Sequence, residues 1–222
     1  MSAERSARGD ARRDLTDIAI DCFARYGFQA TSIDRIAKAA GLTKGALYYH
    51  FRDKEALLFA AVTTRLTQFE HRVVTDLAAE PDPAAALREV ARVCLDHATK
   101  SNHRRMIVTL MVEAIDTNPR LAAEFRAMMQ RFRAVLQRLV ERGQDSRRFR
   151  PDVAARVAAE VFTGAIIGAE IQYYQDPRTF DLAATIAAFS DQFIDWLSPP
   201  AVPHRALRAR RAAKRRNGRR MS

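Results

Sequence analysis

Residues 43–57, TKGALYYHFRDKEAL, gather side chains that can do chemistry at short range. Two tyrosines stand side by side, a histidine follows them, and lysines sit at 44 and 54. Nothing beside them suggests covalent catalysis. The chain has no nucleophile elbow, no glycine-rich phosphate loop and no HExxH pair, so no enzyme chemistry is indicated. Cys94, His97 and His103 come nearest to a metal set, the first two at i, i+3 spacing. Cys94 nonetheless falls on an apolar helical stripe, where a buried thiol is the commoner case. The expectation is therefore no metal and no cofactor. What residues 43–57 can do is bind.

The elements that must position them are helices. Apolar residues recur at steps of three and four, broken by Gly, Pro and Asn, and no stretch alternates as a strand would. Leu15, Ile18, Ala19, Cys22, Phe23 and Tyr26 define a first helix ended by Gly27. Thr31, with Asp34 three residues on, predicts the cap of a short second helix, which Gly41 stops. Thr43 caps a third, reaching about His50. From Asp53 a long fourth helix runs to about Ala79, through Leu57, Leu58, Ala61, Val62, Leu66, Phe69, Val73 and Leu77. It spans about 40 Å, enough to join two domains. After the PDP break at 81–83 come a helix through Cys94, another through Ile107 and Met111, and one started by Asn118-Pro119 and ended by Gly143. Helices over 152–175 and about 180–197 follow, closed by SPP at 198–200. The fold class is all-α with about nine helices.

Two short helices separated by Gly41-Leu42-Thr43 after a longer one form a helix-turn-helix unit. Ile33, Ile36, Leu42, Leu47 and Phe51 are expected to fill its small core. Lys44, Gly45, Ala46, Tyr48, Tyr49 and His50 are then left on or near the open side. Small residues allow close approach, lysine supplies charge, and phenolic hydroxyls on rigid rings can bond phosphate, a mix suited to a DNA groove.

At this point the sequence resembles the TetR family of bacterial transcriptional regulators, through GFQATSIDRIAKAAGLTKGALYYHFRDKEAL at 27–57. The resemblance is specific over about residues 10–60 and weakens beyond. It implies a helix-turn-helix DNA-binding domain over 1–55 and a helical ligand-binding and dimerisation domain over 56–200. It implies phosphate contacts by Thr31, Ser32, Thr43, Tyr48 and Lys54, with Lys44, Gly45, Tyr49 and His50 facing bases or the sugar edge. Ala46 replaces a small polar residue, leaving apolar contact with a thymine methyl.

In the second half, Gly164 and Gly168 stand four apart in TGAIIGAEI. Each costs about 1 kcal/mol against alanine within a helix, which asks for a reason such as the close approach of another backbone. Packing within one subunit is the alternative. The resemblance implies a homodimer built on the last two helices, with Gly164, Gly168, Phe189 and Phe193 at the interface. Met106, Leu110, Met111, Phe125, Met128, Met129 and Phe132 form an adaptable apolar set, more often core than pocket from residues alone. The resemblance favours a pocket for an apolar or amphipathic small-molecule effector, with Gln172 and Tyr173 as polar anchors.

Charge separates the tail from the rest. The net charge is +11, yet residues 204–222 alone carry nine Lys or Arg and no acid. Residues 1–55 hold ten basic and eight acidic side chains, and residues 56–203 balance at eighteen of each. The basic 201–222 segment is expected to be disordered, so the overall charge says little about the folded part. No apolar run reaches the roughly 18 residues of a membrane span, and no signal-peptide segment is recognisable. The expectation is a cytoplasmic, nucleoid-associated regulator, most simply a dimeric repressor on a palindromic operator. An activator, a ligand-independent regulator and a nucleoid-coating protein remain the alternatives.

Overall fold

The computed structural model describes residues 2–78 and 80–200, with side chains for 14–71, 80–101 and 103–200. The basic tail at 201–222 lies outside the described residues, and the side chains of Val73 and Leu77 on the long fourth helix lie outside the described side chains. Among the described residues there are nine α-helices and no strand: α1 (Ser2–Tyr26), α2 (Ile33–Ala39), α3 (Lys44–His50), α4 (Lys54–Ala78), α5 (Pro83–Lys100), α6 (Asn102–Thr117), α7 (Pro119–Asp145), α8 (Ala155–Gln175) and α9 (Leu182–Leu197). The all-α reading holds.

Several helices start on side-chain caps, while α6 and α8 start without one. Thr43 accepts from Ala46 N at 3.1 Å to open α3, and Asp53 accepts from Ala56 N at 2.6 Å in the first turn of α4. Asp82 caps α5 with Pro83 behind it, and Asn118 accepts from Leu121 N at 3.0 Å before Pro119. One expected cap is corrected. Ser32, not Thr31, opens α2, accepting from Arg35 N at 3.2 Å. Thr31 lies one residue too early and is buried, its hydroxyl donating to Gly27 O at 2.6 Å and to Cys22 O at 3.3 Å. It ties the start of α2 to the carbonyl end of α1.

Gly41 turns the chain between α2 and α3 at φ +66°, a conformation that side chains other than glycine adopt at a cost. Its N–H donates to Lys38 O and that of Leu42 to Ala37 O, the paired bonds of a glycine-terminated helix. This reversal carries Leu42 outward, 40% exposed, rather than into the small core expected for it. Ile33, Ile36, Leu47 and Phe51 do fill that core. Tyr26, placed on the buried stripe of α1 by spacing, is exposed and carries the Arg35 guanidinium 4.3 Å from its ring centroid.

The helix-turn-helix unit does not close on itself. Its core of Leu15, Ile20, Phe23, Ile36, Leu47 and Leu57 runs on without a break into Ile107 and Leu110 of α6 and Leu121, Phe125 and Met128 of α7. A second core joins α5, the later part of α7, α8 and α9 around Leu87, Leu136, Phe162, Ile166 and Ile194. Between the two, Arg104 of α6 and Glu170 of α8 are buried together in a forked pair, with Nη2 to Oε2 at 2.7 Å and Nε to Oε1 and Oε2 at 3.2 and 3.1 Å.

Gly143 reads as a helix stop by sequence, but α7 continues to Asp145 and the chain turns at Arg147, φ +60°. The glycine has a different task. Phe149 folds back over it, and a Cβ there would stand 1.9 Å from Phe149 Cδ2. Alanine is favoured over glycine inside a helix by about 1 kcal/mol, but crowding a filled core costs about 1–3 kcal/mol. Gly143→Ala should therefore lower the urea midpoint. An unchanged or higher midpoint would mean that Phe149 yields freely.

Candidate nucleic-acid interface

The face of α3 is set by Leu47, which is fully buried and holds the helix down. Residues one and two steps away must then point outward. Tyr48 is 44% and Tyr49 67% exposed, and the Tyr49 ring meets His50 edge-on with centroids 5.3 Å apart. At Gly45 the nearest atom to an added Cβ is Thr43 Oγ1 at 3.9 Å, an ordinary contact. No internal crowding demands glycine there, and its bareness leaves room for something outside. Ala46 is half-buried beside it.

Lys44 sits at the start of this face and pairs with Asp34 of α2 at 3.1 Å. The hydrogen bond to Asp34, then its charge, raises the ammonium above the usual lysine range. Both side chains are more than half exposed, so the pair is weak and a phosphate can displace the carboxylate. Ser32 and Thr43 are exposed next to these residues, each occupied as a helix cap. Lys54 is turned inward from its expected role. Its ammonium donates to Phe28 O at 2.9 Å and Gln29 O at 3.4 Å and lies 4.4 Å from the Phe28 ring centroid, clamping the α1–α2 turn. Thr31 is removed from the phosphate-contacting set, because its hydroxyl is buried and donates within the fold.

The expected ligand set does not come together around a cavity. Leu110, Phe125 and Met128 are buried in the core shared by the helix-turn-helix unit, α6 and α7, with Met106, Met111 and Met129 packed against it. Phe132 belongs to the other core. Met106 and Leu110 also edge a groove of about 570 Å³ under α1. Gln172 is exposed and donates to Gly168 O at 3.3 Å. Tyr173 does line a cleft, of about 900 Å³, between α1, α2 and the ends of α5 and α8. Sequence spacing marked the methionines as adaptable without showing that tertiary packing fills the space around them.

Gly164 is exposed and Gly168 half-buried, and a Cβ at either meets nothing within 4 Å. Packing within one subunit therefore requires neither glycine. They continue an outward stripe through Val157, Val161 and Ile171, which are 39%, 46% and 36% exposed, at alternating steps of four and three. Phe193 is corrected: it lies 4% exposed within its own subunit, its ring 5.3 Å from Phe162 and 5.5 Å from Trp196. Phe189 is half-buried against Phe162, and Trp196 is the aromatic that α9 leaves 40% exposed.

Sequence reasoning missed two polar features. Arg104–Glu170 joins residues 66 apart, a pairing no local spacing announces. Burial pushes the Glu170 carboxyl up while Arg104 pulls it back. Nearby, burial pushes the Cys94 thiol up to about 12, so it stays protonated at neutral pH. His97 packs against Phe69 with centroids 4.9 Å apart and tilted planes, and His103 pairs with Asp21.

A bare, tyrosine- and lysine-bearing helix held by a capped turn, ahead of a long helix and a larger helical body, defines a helix-turn-helix DNA-binding regulator. The sequence profile of the bacterial regulatory proteins, tetR family, matches residues 15–61, and that of the C-terminal part of BetI-type transcriptional repressors matches 83–197. The chain belongs to the TetR family of transcriptional regulators, and the relatives it matches are regulators rather than enzymes. It is 26% identical to the HTH-type transcriptional regulator AcrR of Shigella flexneri over 186 residues, covering 78% of this chain and 82% of that protein. The fold resembles FadR of Bacillus subtilis in complex with stearoyl-CoA (TM-score 0.70, 21% identity, 82% and 97% of the two chains). It also resembles a transcriptional regulator of Saccharomonospora viridis in complex with choline (TM-score 0.76, 22% identity, 84% and 96%). At such identities these two structures speak for the fold alone.

The Thr31 correction is testable. Thr31→Val keeps the shape and removes a buried hydrogen bond, so chemical denaturation should show a loss of about 1 kcal/mol. Affinity of the folded protein for DNA should stay unchanged. A specific drop in DNA affinity without loss of stability would restore the phosphate contact.

Proposed function

We propose that the protein is a homodimeric repressor that holds a palindromic operator in the cytoplasm and is released by a small apolar or amphipathic ligand. Residues 1–55 read DNA in this scheme, and residues 56–200 carry the dimer face and the response. The observation that carries it is the outer face of α3, where Lys44, Gly45, Tyr48 and Tyr49 are exposed with no internal demand for the glycine. Lys44 and the tyrosine hydroxyls would anchor phosphates, which positions the helix, while Tyr49, His50 and the bare Gly45–Ala46 edge meet bases.

Dimerisation supplies the second half-site. The stripe Val157, Val161, Gly164, Gly168 and Ile171 is apolar, open to solvent along most of its length and free of internal use for its glycines, which supports a helix of a second copy as its occupant. Close backbone approach needs bare positions four apart, and this stripe has them. Ligand response is supported by the stearoyl-CoA and choline complexes of the similar folds. Release then follows from a population shift: a ligand that prefers one attitude of the two recognition helices lowers the share of the other.

Two measurements test the scheme. Lys44→Ala should weaken operator binding by about tenfold, as expected for losing one charge-assisted contact, with dimer and melting temperature unchanged. Undiminished binding at physiological salt would remove α3 from the interface. Gly164→Leu with Gly168→Leu should give monomers in sedimentation, and operator affinity should fall although no DNA-facing residue has changed. An intact dimer would place the interface elsewhere.

A further inference from the structure

The cleft of about 900 Å³ that contains Tyr173 is lined by three guanidiniums from three helices: Arg25 of α1, Arg35 of α2 and Arg105 of α6. Among the described residues none of the three is paired with a carboxylate. The Arg35 guanidinium carbon lies 4.3 Å from the Tyr26 ring centroid, a cation–π contact that consumes none of its N–H donors. Like charges gathered in a concavity repel one another, so the arrangement favours an anion that they can share. One carboxylate, Asp21, shares the wall, and it is engaged by His103 of α6.

The other wall is aromatic. Tyr173 and Tyr174 lie with ring centroids 5.5 Å apart, and the Tyr174 hydroxyl donates to Ala98 O at 3.3 Å, which holds that ring in place. Arg25 stands on α1, Arg35 on α2 and Arg105 on α6, so the guanidiniums reach one space from three helices. Its size matches a small-molecule site rather than a crevice for one ion.

We propose that this cleft binds a small polyanion, a phosphorylated or multiply carboxylated molecule with a flat or apolar body. Its anionic head lies among Arg25, Arg35 and Arg105, and its body lies against Tyr173 and Tyr174. The site spans the helix-turn-helix unit on one side and α6 and α8 on the other. A bound ligand therefore ties the unit to the body in one attitude. That regulatory consequence deepens the ligand-responsive repressor reading and rests on it; the binding itself does not.

The test uses the full chain without DNA, so its failure leaves the operator reading untouched. Thermal unfolding is followed against increasing pyrophosphate, ADP and citrate at constant ionic strength. A saturable rise in melting temperature is expected with at least one of them, because ligands of the native state stabilise it. Pyrophosphate and ADP mark a phosphate head, ADP above pyrophosphate marks a role for the flat body, and citrate alone marks a carboxylate head. Arg105→Gln and Arg25→Gln should each raise the half-saturating concentration by about tenfold, while Arg138→Gln, on α7 away from the cleft, should not. Equal half-saturation in all variants would reduce the effect to general anion stabilisation and overturn the site. No saturable shift with any of the three probes would overturn it as well.

Discussion

Arg104 and Glu170 face each other in the interior at 2.7 Å, 5% and 1% exposed, and through them α6 is tied to α8. Removing two charges from water is costly, and the cost is offset only when geometry is good and the remaining hydrogen-bonding capacity is used. Here the guanidinium meets both carboxylate oxygens, and the Phe69 ring lies 5.5 Å from it. A pair so placed cannot slide. It fixes the register of α6 against α8, the helix that also carries the outward glycine stripe.

The residue before Arg104 looks the other way. His103 reaches Asp21 on α1, so adjacent positions at the start of α6 hold the helix-turn-helix unit and α8 at once. Farther along the same helix, Ile107, Leu110 and Ala114 lie in the core that α1 and α4 share. Arg65 of α4 adds a bond to Asp17 of α1 at 3.2 Å. The recognition helix is thus referred to the larger body through packed side chains rather than through a flexible link. A displacement at the first turn of α6 would act on α1 first, through the His103–Asp21 contact.

The fold was legible where local chemistry decides structure. Thr43, Asp53 and Asn118-Pro119 opened helices where a short polar side chain can reach an N–H two or three residues on, and Gly41 turned the chain where a positive φ is needed. Reading failed where distance in space, not along the chain, decides. Thr31 and Ser32 are both competent caps, and only the position of the end of α1 makes one of them a buried tie. Gly143 reads as a stop until Phe149 is seen lying over it. Phe193 shares a helix with exposed Trp196, and only the packing of α9 on Phe162 sends one in and leaves the other out. The open face of the candidate site was legible at Tyr48, Tyr49 and Lys44 because α3 is short and Leu47 alone fixes its inner side. The cleft was not legible at Arg25, Arg35 and Arg105, which lie on three helices and meet only when those helices pack.

The filling of the methionine-rich core bears on how a ligand can act. Met128 is fully buried and Leu110 and Phe125 nearly so, so a guest among them must displace side chains that already touch one another. A guest there would have to offset lost packing before it shifted any equilibrium. The cleft between α1, α2 and the ends of α5 and α8 asks for no such displacement, and its arginines lack carboxylate partners among the described residues. A ligand shifts a two-state protein only by its difference in affinity between the states. A site divided between α1–α2 and α6–α8 has that difference built in, because any relative movement of the two walls changes the distances among its charges. An interior site acquires it only if the surrounding core repacks differently in the two states. On the proposed reading of the cleft, the shared boundary of the two bodies is therefore the more direct lever on the recognition helix.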